Sequence, residues 1–163
     1  MLKINSIKKI IVILIIFFLD RISKFYLLEL ETSGTEVDFY VFSFLNLYLV
    51  WNTGIAFGLV SLEANNYYHV LTGLILVINL ILIYFLSKEK GINAYLLALI
   101  IGGSLGNLVD RIYYFAVPDF IDIHVGNFHW FIFNIADIFI TIGIIGLMIA
   151  ILLEKDKSLS NEK

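Results

Sequence analysis

Residues 117–137 read V-P-D-F-I-D-I-H-V-G-N-F-H-W-F-I-F-N-I-A-D, and this stretch joins two long apolar runs. Asp119 follows the only proline of the chain, and Asp137 stands at the mouth of the last apolar run, just after Phe133, Asn134 and Ala136. A carboxylate at the edge of hydrocarbon is costly to keep, because its charge loses water, so it calls for a partner or a task. Two carboxyls brought to one place can share a proton, one then acting as acid and the other as base. The plain alternative is two structural aspartates with local partners, and the stretch alone leaves both readings open.

The surrounding runs decide the class. Of 163 residues 60% are hydrophobic, and the mean hydropathy is +0.93, well above a soluble domain at roughly 45–50% apolar. A membrane-spanning helix needs about 20 apolar residues, and four stretches qualify: Lys9–Leu28 (interrupted by Asp20, Arg21 and Lys24), Tyr67–Leu86, Ala94–Ile112 and Ile135–Leu153. Basic residues cluster at Lys3, Lys8 and Lys9, at Lys88 and Lys90, and at Lys155, Lys157 and Lys163, whereas 25–87 holds no Lys or Arg. Positive charge stays on the cytoplasmic side, so the expectation is a mainly α membrane protein with four transmembrane helices and both termini cytoplasmic. The first run resembles a signal peptide, but Asp20-Arg21 follows it with no small-residue cleavage site, so a retained helix is expected. A net charge of -3 without a basic stripe argues against nucleic acid, and the absence of cysteine excludes disulfides, thiol catalysis and Cys-based zinc sites.

The chain reads as one membrane domain, 1–163, with two outer segments. The first, 29–67, is β-rich: Phe39–Trp51 is dense in Phe, Tyr, Val and Leu, which favour strands, and Asn52-Thr53-Gly54 punctuates it like a turn. A small β-structure on the outer face is expected, followed by a short interfacial helix over Leu62–Tyr68. The second, 113–134, reads as an outer loop, with Ile123–Trp130 as a lid. The polar tail Glu154–Lys163 is expected to be frayed or solvated.

Each polar cluster has a structural and a functional reading. Asp20 and Lys24, four apart, share a helix face and can pair; they form either a snorkelling pair or a polar wall between helices. Asn52, Gly54, Ala56, Phe57 and Gly58 make either a plain turn or a ledge where another backbone comes close. Gly102-x-x-x-Gly106 is a helix-packing pattern. Asn107, Asp110 and Arg111 follow it; Asp110 and Arg111 form an ion pair, or the guanidinium holds a carbonyl or carboxylate. His124 and His129 flank Gly126 near Asp119 and Asp122, but without a recognised metal spacing, and with His69 they read as interfacial. Ser104 lies in no G-x-S-x-G elbow and has no expected histidine neighbour, which disfavours a serine protease.

Together these motifs resemble the lipoprotein signal peptidase, or signal peptidase II, family. The matches are D-x-x-x-K at Asp20 and Lys24, N-x-G-x-A-F-G from Asn52 to Gly58, and G-G-x-x-G-N-x-x-D-R from Gly102 to Arg111. They continue with V-x-D-F-I-D from Val117 to Asp122 and F-N-x-A-D from Phe133 to Asp137. Five blocks in order over nearly the whole chain make the resemblance specific. It implies an intramembrane aspartic endopeptidase of the bacterial cytoplasmic (inner) membrane. Such an enzyme cuts diacylglyceryl-modified prolipoproteins on the amino side of the lipidated cysteine, without metal or cofactor. It implies Asp119 and Asp137 as the catalytic pair, and Asp20, Lys24, Asn52, Gly54, Asn107, Arg111 and Asn134 as residues that bind substrate or support the site. Membrane lipid and globomycin-type inhibitors are the further expected partners, and a monomer is the expected state. Two other classes compete: an ion- or proton-coupled carrier using Asp20, Arg111 and Asp137 as relays, and a non-enzymatic assembly subunit packed through Gly102 and Gly106. The carrier lacks the internal repeat and broken helices that many carriers have.

Overall fold

In the computed structural model residues 2–54 and 65–161 are described. The chain runs α1 (Leu2–Thr32), β1 (Asp38–Phe42), β2 (Leu45–Asn52), α2 (Asn65–Lys88), α3 (Gly91–Tyr113), β3 (Val117–Val125), β4 (Phe128–Phe133) and α4 (Ile135–Asn161). Among the described residues, three helical stretches are long and apolar enough to cross a membrane: Tyr68–Lys88, Gly91–Tyr113 and Ile135–Glu154. Helix α1 is longer than any of them at 31 residues, but Asp20, Arg21 and Lys24 break its apolar run. One face of α1 buries Ile16, Asp20, Lys24 and Leu27, while Ile15, Phe18, Ile22 and Phe25 are about half exposed or more. A water-soluble helix places these classes the other way round.

Helix α3 is the centre of the bundle, with α4, α1 and α2 packed around it. The small residues read as a packing device make this possible. A Cβ at Gly102 would stand 2.9 Å from the Ile13 carbonyl oxygen, and one at Gly103 only 2.5 Å from that of Ala136. So α1 and α4 approach the backbone of α3 on two sides, as small-residue interfaces allow. Near the α2–α3 turn, Leu86, Ala94, Leu97, Ala98 and Ile101 form an apolar cluster. There Lys9 Nζ donates to the carbonyls of Leu86 (3.0 Å) and Glu89 (2.6 Å), covering the otherwise unpaired acceptors of a helix C-terminus.

At the other end of the bundle lies one four-stranded antiparallel sheet in the order β1-β2-β3-β4. Its first hairpin follows α1 and its second links α3 to α4; they join through β2 and β3, where Val50 faces Asp119 and Asn52 faces Val117. The strands expected in 39–51 are present. The stretch 113–134, read as a loop, instead supplies half of the sheet, closed by a two-residue Gly126-Asn127 turn with Gly126 at φ 58, the first-position glycine such tight turns favour. The supposed lid, Ile123–Trp130, is the tip of this hairpin. Leu27, Val37 and Phe120 anchor the sheet on α1. The polar tail continues α4 as far as Asn161 instead of leaving the helix. Ala56, Phe57 and Gly58, and the first three residues of the interfacial helix expected at Leu62–Tyr68, lie outside the described residues, and the other four begin α2 at Asn65.

Candidate active site

The site is built where α3, α4, β2 and β3 meet. Strand β3 carries Asp119, which is 3% exposed. Its Oδ2 accepts from Asn52 Nδ2 at 2.9 Å and its Oδ1 from Asn134 Nδ2 at 2.6 Å. Pairing of β2 with β3 brings Asn52 alongside, and the Asn52 side chain also folds back so that its Oδ1 accepts from the Gly54 N–H at 2.9 Å. The expectation that Asn52 and Gly54 belong to one local turn therefore holds, and that turn fixes which end of the amide faces Asp119.

Asp137 enters through a helix cap. Asn134 precedes α4, and its Oδ1 accepts from the Asp137 N–H (3.1 Å) while Asp137 Oδ2 accepts from the Asn134 N–H (3.2 Å). This reciprocal arrangement is a capping box with an amide and a short acid in place of the usual Ser and Glu. It satisfies amides that a helix start leaves unpaired. The other oxygen, Asp137 Oδ1, accepts from Asn107 Nδ2 of α3 at 2.8 Å. Asn134 thus caps α4 through one atom of its side chain and holds Asp119 through the other.

Behind Asn107 lies a buried ionic cluster. Lys24 Nζ donates to Asp20 Oδ2 (2.9 Å), Asn107 Oδ1 (2.8 Å) and Asp110 Oδ2 (2.7 Å), using all three of its protons. Asp20 Oδ1 accepts from the Ala136 N–H of the first turn of α4 at 3.1 Å, and Arg21 bridges Asp20 and Asp110 from the rim. Gly106 makes room for this, since a Cβ there would lie 2.5 Å from Asp20 Oδ2. The expected Asp20–Lys24 pair is present; of the two readings of Asp110 and Arg111, the ion pair gives way because Asp110 turns to Lys24 and Arg21, and the guanidinium that holds a carbonyl is the one found. Arg111 instead donates to the carbonyls of Asn107 and Gly54, both at 3.3 Å, and its buried Nε has no hydrogen-bond partner among the described residues.

Asp119 and Asp137 line one cavity of about 430 Å³, together with Asn52, Asn107 and Arg111. Its other walls, including Leu71, Leu74 and Ile78 of α2 and Ile140 and Ile144 of α4, are apolar. Burial, and then the nearby charge of Asp137, push the Asp119 carboxyl up to about 7. The arrangement has the elements of acid–base chemistry on a polar bond presented from an apolar groove. All nine residues singled out in the sequence thus fall in the cavity wall or within one or two contacts of it.

Four further residues at or beside the site were not assigned to it from the sequence. Asp110 completes the Lys24 cluster, and its position one turn after Gly106 on the same helix was the available signal. Asn79 of α2 is 1% exposed and donates to Ser104 Oγ at 2.8 Å, tying α2 to α3; a lone Asn in an apolar run was its signal. Ser104 and Thr141 also line the cavity.

Comparison with known proteins identifies the family. The family described as Signal peptidase (SPase) II matches residues 12–153. The chain is 48% identical over 159 residues to the lipoprotein signal peptidase of Pelagibacter ubique (strain HTCC1062), covering 98% of this chain and 95% of that one. It is 42% identical over 144 residues to the lipoprotein signal peptidase of Anaplasma phagocytophilum (strain HZ), covering 86% and 89%. A bacterial membrane enzyme solved by the in meso method at 2.3 Å resolution superposes with a TM-score of 0.74 at 30% identity, over 96% of this chain and 92% of that one. A match over most of the chain, relatives of this identity and a shared fold lead to one conclusion: the chain belongs to the signal peptidase II family and is a membrane peptidase.

Proposed function

We propose that the protein is an aspartic endopeptidase of the bacterial inner membrane that removes the signal peptide from prolipoproteins, cutting on the amino side of a diacylglyceryl-modified cysteine. The observation that carries this reading is the convergence of Asp119 and Asp137, from a strand and a separate helix, on one apolar-walled cavity. In the same reading α1 is a fourth span, with its charges turned inward and its apolar face in lipid. Both termini lie in the cytoplasm with the basic clusters, and the sheet lies at the outer leaflet. Domain limits follow: 29–67 and 113–134 are the two outer segments of a single unit, 1–163.

The chemistry needs one proton shared by two carboxyls. Asp119, held up to about 7, carries it, and Asp137, at a helix N-terminus with two N–H donors, acts as the carboxylate. Asp137 takes a proton from water as the water oxygen attacks the scissile carbonyl, while Asp119 protonates the carbonyl oxygen. The tetrahedral intermediate collapses as the proton on Asp137 passes to the leaving amine and Asp119 recovers its own, so proton and charge balance over the cycle. Arg111, with Nε unspent and a fixed positive charge, is placed to hold a substrate carbonyl. The apolar wall from α2 and α4 suits a signal helix and acyl chains that already lie in lipid, and restricting the bond to that plane supplies the proximity contribution.

The test uses purified protein in detergent with a diacylglyceryl-modified precursor, with and without a globomycin-type inhibitor. Asp119→Asn and Asp137→Asn should each abolish cleavage while the protein still inserts and melts cooperatively. Parent-like cleavage by either variant would sink the assignment, and a carrier would release no peptide from any of the three proteins.

A further inference from the structure

We propose that Asp122, His124 and His129 form a binding site for a divalent transition metal of the zinc class on the β3–β4 hairpin, separate from the aspartate cavity. His124 and His129 face each other across the two strands, and Asp122, two residues before His124, projects to the same face of β3 by strand alternation. One ligand atom from each lies within 4.8 Å of the others. His129 Nδ1 stands 2.8 Å and His124 Nδ1 3.7 Å from Asp122 Oδ2, and the two rings stack at 5.0 Å with 25° between planes. A tetrahedral zinc with bonds of about 2.0–2.1 Å separates its ligand atoms by about 3.3 Å. The two measured separations bracket that value, and small side-chain rotations close the rest.

A purely structural reading accounts for part of the cluster, since His129 and Asp122 are already within hydrogen-bond distance. It does not account for His124. Its side chain is 11% exposed, and its buried Nδ1 has no hydrogen-bond partner among the described residues, a costly state for a polar atom. A metal on Asp122 would satisfy it. Two imidazoles and one carboxylate favour zinc, nickel or copper over calcium or magnesium, which prefer all-oxygen sites. Because His129 is 54% exposed, solvent completes the coordination, and the metal should exchange readily. None of the three residues lines the cavity of Asp119 and Asp137, so the metal would clamp the hairpin whose second strand runs directly into Asn134, without taking part in hydrolysis.

The chain has three histidines, which makes the test clean. Full-length protein without a polyhistidine tag is stripped with chelator in detergent. It is then titrated with Zn2+ by calorimetry and with Co2+ by visible absorbance, with Mg2+ and Ca2+ as controls. One equivalent of Zn2+ should bind, with a rise in melting temperature. His124→Ala and His129→Ala should each weaken binding by about tenfold or more and remove the thermal shift, while His69→Ala and Asp119→Asn should leave both in place. If His124→Ala does not fold, the exposed His129→Ala decides alone, with its metal-free melt and peptide cleavage as the check on folding. Absence of Zn2+ binding, binding that survives His129→Ala, or binding lost in Asp119→Asn would each overturn the proposal.

Discussion

Replacing Lys24 by Met tests whether the buried ionic cluster orients the site or merely packs the helices. The ammonium is 1% exposed and the two carboxylates it contacts are 0% exposed, so methionine of similar length fills the space but leaves Asp20 and Asp110 with Arg21 as their shared cation. Removing one partner of a buried charge pair costs about 3–5 kcal/mol, a large part of the roughly 5–15 kcal/mol that holds a typical domain folded. A second effect falls on Asn107. Its Oδ1 loses the donor at 2.8 Å, and nothing then dictates that Nδ2 faces Asp137. Losing a hydrogen bond to a charged group is worth about 1.5–3 kcal/mol, which converts to a rate loss of roughly 10- to 150-fold if all of it is felt in the transition state.

The two effects separate in a double variant. Asp110→Asn in the Lys24→Met background removes one uncompensated charge and should recover part of the stability, but it restores no donor to Asn107, so cleavage should stay low. Stability is read by reversible unfolding in SDS, followed through Trp51 and Trp130 in the sheet, and activity by cleavage of the lipidated precursor at a temperature where the variant is folded. A Lys24→Met protein within about 0.5 kcal/mol of the parent, the range of an ordinary surface substitution, would refute the reasoning. So would a double variant that regains stability and activity together.

Asn134→Ser keeps an N-cap oxygen for the Asp137 N–H but removes the donor to Asp119, so stability should change by only a few tenths of a kcal/mol while turnover falls. Asn134→Ala should in addition cost about 1 kcal/mol in the same unfolding assay. The raised Asp119 carboxyl makes stability depend on pH: its ordinary value is 3.8 and its folded value about 7. The folded state therefore holds the proton more tightly, and the stabilising contribution is complete below about pH 4 and lost as pH climbs through about 7. The difference of roughly 3 pH units is worth at most about 4 kcal/mol. Asp119→Asn should flatten the fall in stability between about pH 4 and about pH 7, and parent cleavage should decline above about pH 7 as the acid form is lost; a parent profile as flat as that of the variant would contradict both.

How far the sequence reveals this site follows from the range of each interaction. Contacts set by periodicity were legible: Asp20 and Lys24 lie one helical turn apart, and Gly102 and Gly106 share a face; the three-residue spacing of Asn134 and Asp137 also fits a cap, a signal that the sequence reading left unused. The meeting of Asp119 with Asp137 needed only that one short segment link two helices. What stayed hidden depends on pairing between distant segments. The alternation of Ile121-Asp122-Ile123-His124-Val125 before Gly126-Asn127 was an available hairpin signal, but it does not announce pairing with the sheet begun at 38–52, and Val117-Pro118-Asp119, buried throughout, does not show the apolar–polar alternation that marks a half-exposed strand. The partner of Asp110 was left open between two readings for a related reason. Neighbours in sequence on a helix point about 100° apart, so Arg111 is a poor partner, whereas Lys24 reaches Asp110 across a helix interface that periodicity alone does not specify.

The three asparagines explain how a pair of carboxyls is held without being neutralised. In each, Oδ1 is occupied by a group that can only donate: the Gly54 N–H on Asn52, the Lys24 ammonium on Asn107 and the Asp137 N–H on Asn134. Each amide must therefore turn its Nδ2 outward, and each Nδ2 meets a carboxylate oxygen, two on Asp119 and one on Asp137. Amides supply direction without net charge. A lysine or arginine in their place would favour two ionised carboxylates and abolish the shared proton on which the proposed chemistry rests. The one buried ammonium nearby is spent on Asp20 and Asp110, and it reaches Asp137 only through the amide of Asn107. The Lys24 charge is thus kept one residue away from the pair while its orienting effect is passed on, which is the kind of fixed polar surrounding that lowers a barrier without reorganising during the reaction.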